Sequence, residues 1–415
     1  MLLNQKILLA FFFCLGLWQC GDQAGRAVPT ASQDVPPKEE SSVDRPGPII
    51  VGAARFDAYL PKLKNQKVGM LVNQTSMVGD VHLVDTLLAL GVDIRIIFAP
   101  EHGFRGEADA GEKVADGKDT KTGLTLKSLY GKNRKPTAED LRDLDVIVFD
   151  VQDVGARFYT YISSMHYMMQ ACAEQNVNFL VLDRPNPNGH YVDGPILDMA
   201  HSSFIGMHPV PVVHGMTVAE YARMINGENW LGEGLRCDLD HVACQDYDHQ
   251  RFYELPVRPS PNLPNMRSIY LYPSLCFFEG TVVSIGRGTQ KQFQVIGHPS
   301  STIGEYTFVP ESMPGAKYPK LQGEKCRGHD LSDLPLGDLQ EIDRLDLSHL
   351  LAFYEAFPNR SDFFLKNKFI DKLAGGTQLR EQILTGQSEE DIRQSWAAGL
   401  EDFRKLRKPY LLYAE

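Results

Sequence analysis

Four polar segments in the first half of the sequence carry the side chains that could do chemistry. They are residues 73–76, 100–106, 150–159 and 183–189, and each directly follows a short apolar run. Carboxylates serve acid–base catalysis, amide and guanidinium groups bind hydroxyls, and aromatic rings stack on sugar rings. Such side chains in four successive segments indicate a carbohydrate site.

Glu101 is the first candidate for a general acid because it follows a buried apolar run directly. Pro100 fixes the start of the turn, and Gly103 and Gly106 allow the backbone to approach a ligand closely. Glycoside hydrolysis needs one protonated carboxyl group that donates to the leaving oxygen. The alternative reading of Glu101 is a structural salt bridge to Arg105.

Hydrolysis also needs a second carboxylate, or a group of the substrate, to handle the positive charge at the anomeric carbon. Glu279 and Asp153 rank highest for this role. An N-acetyl sugar can instead supply its own acetamide oxygen as nucleophile, so the stereochemical outcome stays open. The residues predicted to bind substrate are Asn73, His102, Arg105, Asp150, Arg157, Tyr159, Asp183, Arg184 and Asn186. Asp183 and Arg184 could equally form a structural ion pair.

The elements that must position these residues are short β-branched runs alternating with helical stretches. Strands are predicted over residues 67–73, 93–99, 145–151, 178–183 and 235–242, and helices over 83–90, 161–175 and 218–226. Runs this apolar are buried on both faces, which indicates an α/β fold with a parallel sheet between helices. Open parallel sheets bind ligands at the carboxyl ends of their strands, where the four polar segments fall.

A proline-rich stretch at residues 258–265 ends this pattern and predicts a domain boundary. The first domain then spans residues 49–257 and an α+β domain spans 258–415. In the second domain we expect a helix near residues 272–278, strands over 281–285 and 293–296, and late amphipathic helices near 347–357 and 389–405.

The N-terminal residues predict a targeting signal. Lys6 precedes twelve apolar residues, too few for a membrane span, and Cys20 follows where a lipoprotein signal places its lipidated cysteine. We therefore predict a signal peptide over residues 1–19 and a lipidated Cys20 with a disordered tether over 20–48, with ordinary secretion as the alternative. We expect the protein in the envelope of a Gram-negative bacterium, as a periplasmic or outer-membrane lipoprotein.

Composition excludes several other classes. The net charge is −11 and no Lys/Arg-rich run occurs, so a nucleic-acid partner is not expected. A phosphate loop, a dinucleotide fingerprint, a serine nucleophile elbow and a paired-histidine metal motif are all missing from the sequence. We predict no cofactor and no metal, and contact with a membrane through the lipid anchor only.

Five strings resemble those of one enzyme family, the NamZ-type exo-β-N-acetylmuramidases. They are VNQT at 72–75, PEHGFRG at 100–106, FDVQDVGAR at 149–157, LDRPNP at 182–187 and FEGT at 278–281. The resemblance covers about residues 48–415. It implies a Rossmann-like domain without a dinucleotide, a smaller C-terminal domain, and an active site in the cleft between them.

The resemblance further implies release of N-acetylmuramic acid from the non-reducing ends of peptidoglycan fragments, such as muropeptides or MurNAc-GlcNAc. The family's proposed catalytic glutamate falls on Glu101. Two other functions fit the same polar segments. A lipid-anchored sugar-binding protein would need no chemistry, and a cell-wall amidase or esterase would use the same kind of sheet.

Overall fold

A seven-stranded sheet forms the centre of the first half of the chain. The fold was analysed in a computed structural model, which describes residues 47–105, 116–232 and 234–415. The predicted signal peptide, Cys20 and nearly all of the predicted tether lie outside the described residues. Residues Gly47–Glu415 belong to one compact unit.

The strands are numbered in chain order. They are β1 (Lys67–Val72), β2 (Met77–Val78), β3 (Val81–His82), β4 (Asp93–Ala99), β5 (Gly117–Lys118), β6 (Thr125–Ser128), β7 (Val146–Asp150), β8 (Asn178–Leu182), β9 (Leu239–Val242), β10 (Val295–His298), β11 (Tyr306–Phe308) and β12 (Cys326–Asp330).

The α-helices are numbered in the same way. They are α1 (Phe56–Leu63), α2 (Leu83–Ala89), α3 (Tyr161–Gln175), α4 (Val218–Gly227), α5 (Met266–Leu275), α6 (Leu336–Gln340), α7 (Ser348–Glu355), α8 (Phe369–Ala374), α9 (Gln378–Leu384) and α10 (Glu389–Arg407). No helix within the described ranges is long and apolar enough to cross a membrane.

The large sheet has the strand order β5-β6-β4-β1-β7-β8-β9, and every pairing except β5–β6 is parallel. Side chains alternate between its two faces. Ile147 and Phe149 of β7 pack in the cluster that contains Met165 of α3, whereas Val148 packs in the cluster that contains Tyr59 of α1. Both faces are therefore buried, and the predicted α/β class with a parallel sheet is confirmed.

The strand order also places the site. From β1 the chain continues to β4 on one side, and later returns to β7 on the other side of β1. Loops that leave neighbouring strands in opposite directions open a crevice at the carboxyl ends of those strands. The segments beginning at Pro100, after β4, and at Val151, after β7, leave the sheet at this crevice.

The second half of the chain combines a three-stranded antiparallel sheet, ordered β10-β12-β11, with α5 to α10. The predicted helix near 272–278 begins earlier, at Met266, because Asn265 and Ser268 form a capping box there. The strand predicted over 281–285 is wrong. This segment makes only single bridges, from Thr281 to Phe364 and from Ser284 to Gly297, so no ladder forms.

The last residues of the chain return to the first half. Arg223 of α4 donates hydrogen bonds to the main-chain oxygens of Tyr410 at 2.6 Å and Leu411 at 3.2 Å. The His249 N–H donates to the oxygen of Ala414 at 2.9 Å. The Tyr413 hydroxyl accepts from the Cys244 N–H at 2.7 Å. We call residues 410–415 the C-terminal strap.

Candidate functional site

A cavity of about 260 Å³ lies at the crevice and is lined by both halves of the chain. We call it the aromatic cavity, because six aromatic side chains line it: Phe158, Tyr159, Tyr161, Tyr272, Phe293 and Phe369. The polar residues that line it are Glu101, His102, Thr160, Ser260, Asn262, Glu279 and Arg287. Sugar rings stack on aromatic side chains while polar groups fix their hydroxyls, so this wall suits a carbohydrate.

A second cavity, of about 310 Å³, adjoins the first. We call it the cationic cavity, and it is lined by Glu101, Tyr130, Arg134, Thr160, Ser203, Phe204, Ile205, Phe369 and Lys372. Glu101, Thr160, Ile205 and Phe369 line both cavities. Glu101 therefore stands on the wall that the two cavities share.

Two hydroxyl groups hold the Glu101 carboxyl group at this wall. Thr160, just before α3, donates a hydrogen bond to Glu101 Oε2 at 3.0 Å, and the Tyr130 hydroxyl is also hydrogen-bonded to Glu101. Burial raises the pKa of Tyr130, and the Glu101 charge adds to the effect. Arg105 forms a two-pronged ion pair with Asp119, at 3.0 and 3.1 Å, and its guanidinium lies 4.5 Å from the Phe104 ring.

The backbone after Glu101 turns sharply. His102 and Gly103 both adopt left-handed conformations, with φ of 70° and 78°. For a residue other than glycine this conformation costs roughly 1–3 kcal/mol and persists where the surroundings enforce it, commonly at functional sites. His102 is buried, and Ser260 Oγ lies 3.4 Å from its Nε2. The turn thus sets the direction of the backbone after β4, where Glu101 lies.

Glu279 faces the aromatic cavity from the second half of the chain. Burial raises the pKa of Glu279, but the Arg287 and Lys320 charges outweigh burial, so the net pKa is lowered. Arg287 Nε donates directly to Glu279 Oε1. The Lys320 ammonium donates to three carbonyl oxygens in residues 278–283, at 2.6 to 3.1 Å. Glu279 is therefore held as an anion.

Asp153, the other candidate for a second carboxylate, lines neither cavity. It is buried, and its Oδ2 accepts a hydrogen bond from the Gly155 N–H at 2.7 Å. Burial raises the pKa of Asp153 to about 7, although the N–H groups of Gly155 and Val154 oppose that shift. Its electrostatic contacts include Tyr159 and Tyr161, so it lies behind the wall that these tyrosines form. Its catalytic role stays a prediction.

Asp150 and Arg184 form a buried ion pair. Arg184 donates through Nε and Nη2 to the two carboxylate oxygens of Asp150, at 2.6 and 2.9 Å. The partner of Arg184 is thus Asp150 rather than the adjacent Asp183. Asp183 accepts instead from the Tyr413 hydroxyl at 2.6 Å and from the Ala219 N–H at 3.0 Å. Burial raises the pKa of Asp183 to about 7.

Three more predicted binding residues are bonded within the protein. Arg157 donates to the carbonyl oxygens of Pro195, Val210 and Leu373, at 2.8, 2.6 and 2.9 Å. Asn186 donates to Met216 O at 2.9 Å, and its side chain packs on Gly155, whose φ of 75° and lack of Cβ make the contact possible. Asn73 closes its own turn by accepting from Thr75 N–H at 2.9 Å.

The two cavities thus bring together four predicted residues: Glu101, His102, Tyr159 and Glu279. The other predicted residues are not among the lining residues, and their binding roles stay predictions. Sequence reasoning missed the lining residues Tyr130, Arg134, Thr160, Tyr161, Ser260, Asn262, Tyr272, Arg287, Phe369 and Lys372. Thr160 and Tyr161 directly continue a predicted polar segment, and Ser260 and Asn262 lie in the proline-rich stretch. Proximity to these segments is the only sequence feature that could have indicated these four residues.

Two carboxyl groups, one of them held as an anion, and a wall of aromatic rings are the kinds of group that glycoside hydrolases use. No cluster of three or more His, Cys, Asp or Glu side chains that could hold a metal occurs in the described part of the chain. The fold and site define an α/β protein with a carbohydrate-type cleft at the ends of its parallel strands.

Comparisons with known proteins identify the family. A family model described as exo-β-N-acetylmuramidase NamZ, N-terminal, matches residues 68–267, and its C-terminal counterpart matches residues 270–413. The chain therefore belongs to the NamZ exo-β-N-acetylmuramidase family, which confirms the resemblance found in the sequence. The two matched regions meet within α5.

Relatives extend over nearly the whole chain. The peptidoglycan β-N-acetylmuramidase NamZ of Bacillus subtilis (strain 168) is 37% identical over 97% of this chain and 99% of its own. A crystal structure of a DUF1343 family protein from Bacteroides fragilis NCTC 9343 is 46% identical, with a TM-score of 0.83 over 89% of this chain and 100% of that one. A second such B. fragilis structure is 29% identical, with a TM-score of 0.75 over 88% and 99%.

Proposed function

We propose that this protein is an exo-acting glycoside hydrolase that releases N-acetylmuramic acid from the non-reducing ends of peptidoglycan fragments. The observation that carries the proposal is the place of Glu101, on the wall shared by two adjoining cavities. A glycosidic bond lying at this wall puts one sugar unit in each cavity. Membership of the NamZ family supports the same substrate.

In this mechanism Glu101 is the general acid and base. Its protonated carboxyl group gives a proton to the glycosidic oxygen as the bond to the anomeric carbon breaks. The resulting carboxylate then takes a proton from the water whose oxygen ends on the anomeric carbon. The Thr160 hydroxyl, which donates to Oε2, holds the carboxyl plane during both steps.

Glu279 supplies the negative charge that the transition state needs. The anomeric carbon becomes positive as the bond breaks, and an ionised carboxylate nearby stabilises it or orients the substrate acetamide that attacks it. Because Arg287 and Lys320 lower the pKa of Glu279, it carries this charge over the whole physiological pH range. Glu279 is thus the ionised carboxyl group that the stabilising role requires.

Hydrogen bonds and ring contacts within the protein position the aromatic wall. The hydroxyls of Tyr159 and Tyr161 both donate to the Pro259 carbonyl oxygen, at 2.8 and 3.2 Å, and the two rings meet edge to face. Tyr272 packs against Phe293 at 5.0 Å. Because Pro259 and Phe293 belong to the second half of the chain, that half covers the strand-end site. A covered site supports attack at chain ends rather than within chains.

A chromogenic β-N-acetylmuramide and the disaccharide MurNAc-GlcNAc, each incubated with the purified protein, test the proposal. Release of N-acetylmuramic acid from both is expected. Binding of the disaccharide without turnover would identify a sugar-binding protein instead. Release of peptide or acetate from muropeptides, with glycosidic bonds intact, would identify an amidase or esterase.

We also propose that lipid on Cys20 anchors the mature protein in the cell envelope, near the muropeptides it acts on. Residues 21–48 would connect the anchor to the fold. Cys20→Ala should move the protein from the membrane fraction to the soluble fraction and leave its activity in vitro unchanged. A wild-type protein that is already soluble, with another N-terminal residue, would contradict the anchor.

A further inference from the structure

Two basic side chains, Arg134 and Lys372, line the cationic cavity together with Glu101. Neither Arg134 nor Lys372 has an ion pair or side-chain hydrogen bond with any other residue that the structure describes. The Arg134 guanidinium lies 4.1 Å from the Phe204 ring, and its Nε is shielded from solvent with no acceptor among the residues that the structure describes. Lys372, on α8, is exposed at the same cavity.

The other cations near the site are already compensated. Arg287 is paired with Glu279, and Lys320 donates to three carbonyl oxygens. Arg105 is paired with Asp119. A shielded guanidinium nitrogen without an acceptor is unfavourable unless something else supplies one. Arg134 and Lys372 are therefore the side chains at this site that are ready to take an anion.

We infer that Arg134 and Lys372 form a carboxylate-binding subsite next to the scissile bond. A guanidinium group binds a carboxylate through two parallel hydrogen bonds, and the Phe204 ring beneath Arg134 fixes the plane in which it does so. The Lys372 ammonium adds a mobile point charge at the mouth. The subsite selects acidic sugars over neutral ones of the same ring size.

This inference rests on the proposed function and deepens it. N-acetylmuramic acid differs from N-acetylglucosamine by a lactyl ether that ends in a carboxylate. A second source of the same chemistry is a peptide stem, in which the lactyl carboxyl is an amide and the free carboxylates lie further out. Both sources place a carboxylate on the sugar that carries the cleaved bond.

The test compares kcat/KM for aryl β-N-acetylmuramide with that for aryl β-N-acetylglucosaminide. Hydrogen bonds to charged groups contribute strongly to binding. Lys372→Met or Arg134→Met should therefore reduce the preference for the acidic substrate roughly 10- to 100-fold. Lys372→Arg should retain most of it. Lys366→Met removes an exposed cation that lines neither cavity and should leave both rates unchanged.

Salt supplies a measurement that needs no variant. Raising the ionic strength should raise KM for the acidic substrate and leave KM for the neutral one unchanged, because Lys372 is open to solvent. Two further aryl muramides separate the sources of the carboxylate. When the lactyl carboxylate is converted to its methylamide, the preference over the neutral substrate should vanish. When it is instead conjugated to L-alanine, the preference should return only if the subsite binds a carboxylate of the peptide stem.

Equal losses on both substrates in Lys372→Met and Arg134→Met would overturn the subsite, since a structural role would not distinguish them. An unchanged preference in both variants would overturn it too. These failures differ from failure of the proposed function, in which the wild-type protein hydrolyses no β-muramide at all.

Discussion

Replacing Glu101 with glutamine removes the proton that the mechanism donates and keeps nearly the same shape. The amide oxygen can still accept the hydrogen bond that Thr160 gives at 3.0 Å, so the stability lost should stay within about 0.5–1.5 kcal/mol. General acid catalysis supplies about 10²–10⁴-fold, or roughly 3–5 kcal/mol of barrier. We expect Glu101→Gln to lose this factor in kcat for MurNAc-GlcNAc.

The assay compares two leaving groups. The sugar alkoxide of the disaccharide needs protonation, whereas a nitrophenolate leaves without it, so the aryl muramide should suffer a smaller loss. Glu254→Gln is the matched control, because Glu254 is exposed and lines neither cavity. Thermal midpoints of all three proteins confirm that they are folded. Wild-type turnover of the disaccharide by Glu101→Gln would remove Glu101 from the mechanism.

Three further predictions concern the Glu279 carboxylate, the pKa of Asp183 and the position at which glycan chains are cut. Glu279→Gln leaves Arg287 and Lys320 without their carboxylate, so kcat should fall and urea unfolding should show a loss of about 1–3 kcal/mol; adding Arg287→Met should restore part of the stability but none of the activity. Because the folded-state pKa of Asp183 is raised from 3.8 to about 7, its protonated form is favoured in the fold and stability should fall as pH rises from 4 to 7. Urea midpoints should therefore fall less over that range for Asp183→Asn than for wild type, and equal slopes would refute the assignment. Early digestion of polymeric glycan should give single N-acetylmuramic acid residues by mass spectrometry, whereas a spread of oligosaccharides would show endo action.

The parallel strands were predictable because their almost wholly apolar sequences are compatible with few positions other than the buried centre of a sheet. Predicted and observed bounds of the strands near Lys67, Asp93, Val146 and Asn178 agree within one residue, and α3 has the predicted bounds. Long apolar runs must be covered on both faces, so they mark central strands. Strand β6, which lies between the edge strand β5 and β4, was missed because its sequence, TLKS, has no such run; its pairing with β4 defines it.

The site was predictable only in part. Glu101 follows a central strand, so topology alone brings it to the crevice. Whether a polar residue at a strand end faces a ligand or another residue depends on tertiary partners, as the Asp150–Arg184 pair shows. Arg134 and Lys372 line the same cavity although they are far apart in the sequence. Neither of them lies in a recognisable sequence motif. No local signal in the sequence reports such a convergence.

The C-terminal strap bears on how this protein should be produced and divided. Its main-chain and side-chain bonds lie on α4, His249 and Cys244, so a shortened protein that ends before Tyr410 would lose all of them. Expression of residues 47–267 alone would also strip Asp183 of the Tyr413 hydroxyl and leave the Tyr247 ring without its partner at 4.9 Å. Residues 410–415 thus complete the first half of the chain, and domain-swap chimeras should carry the strap along with it.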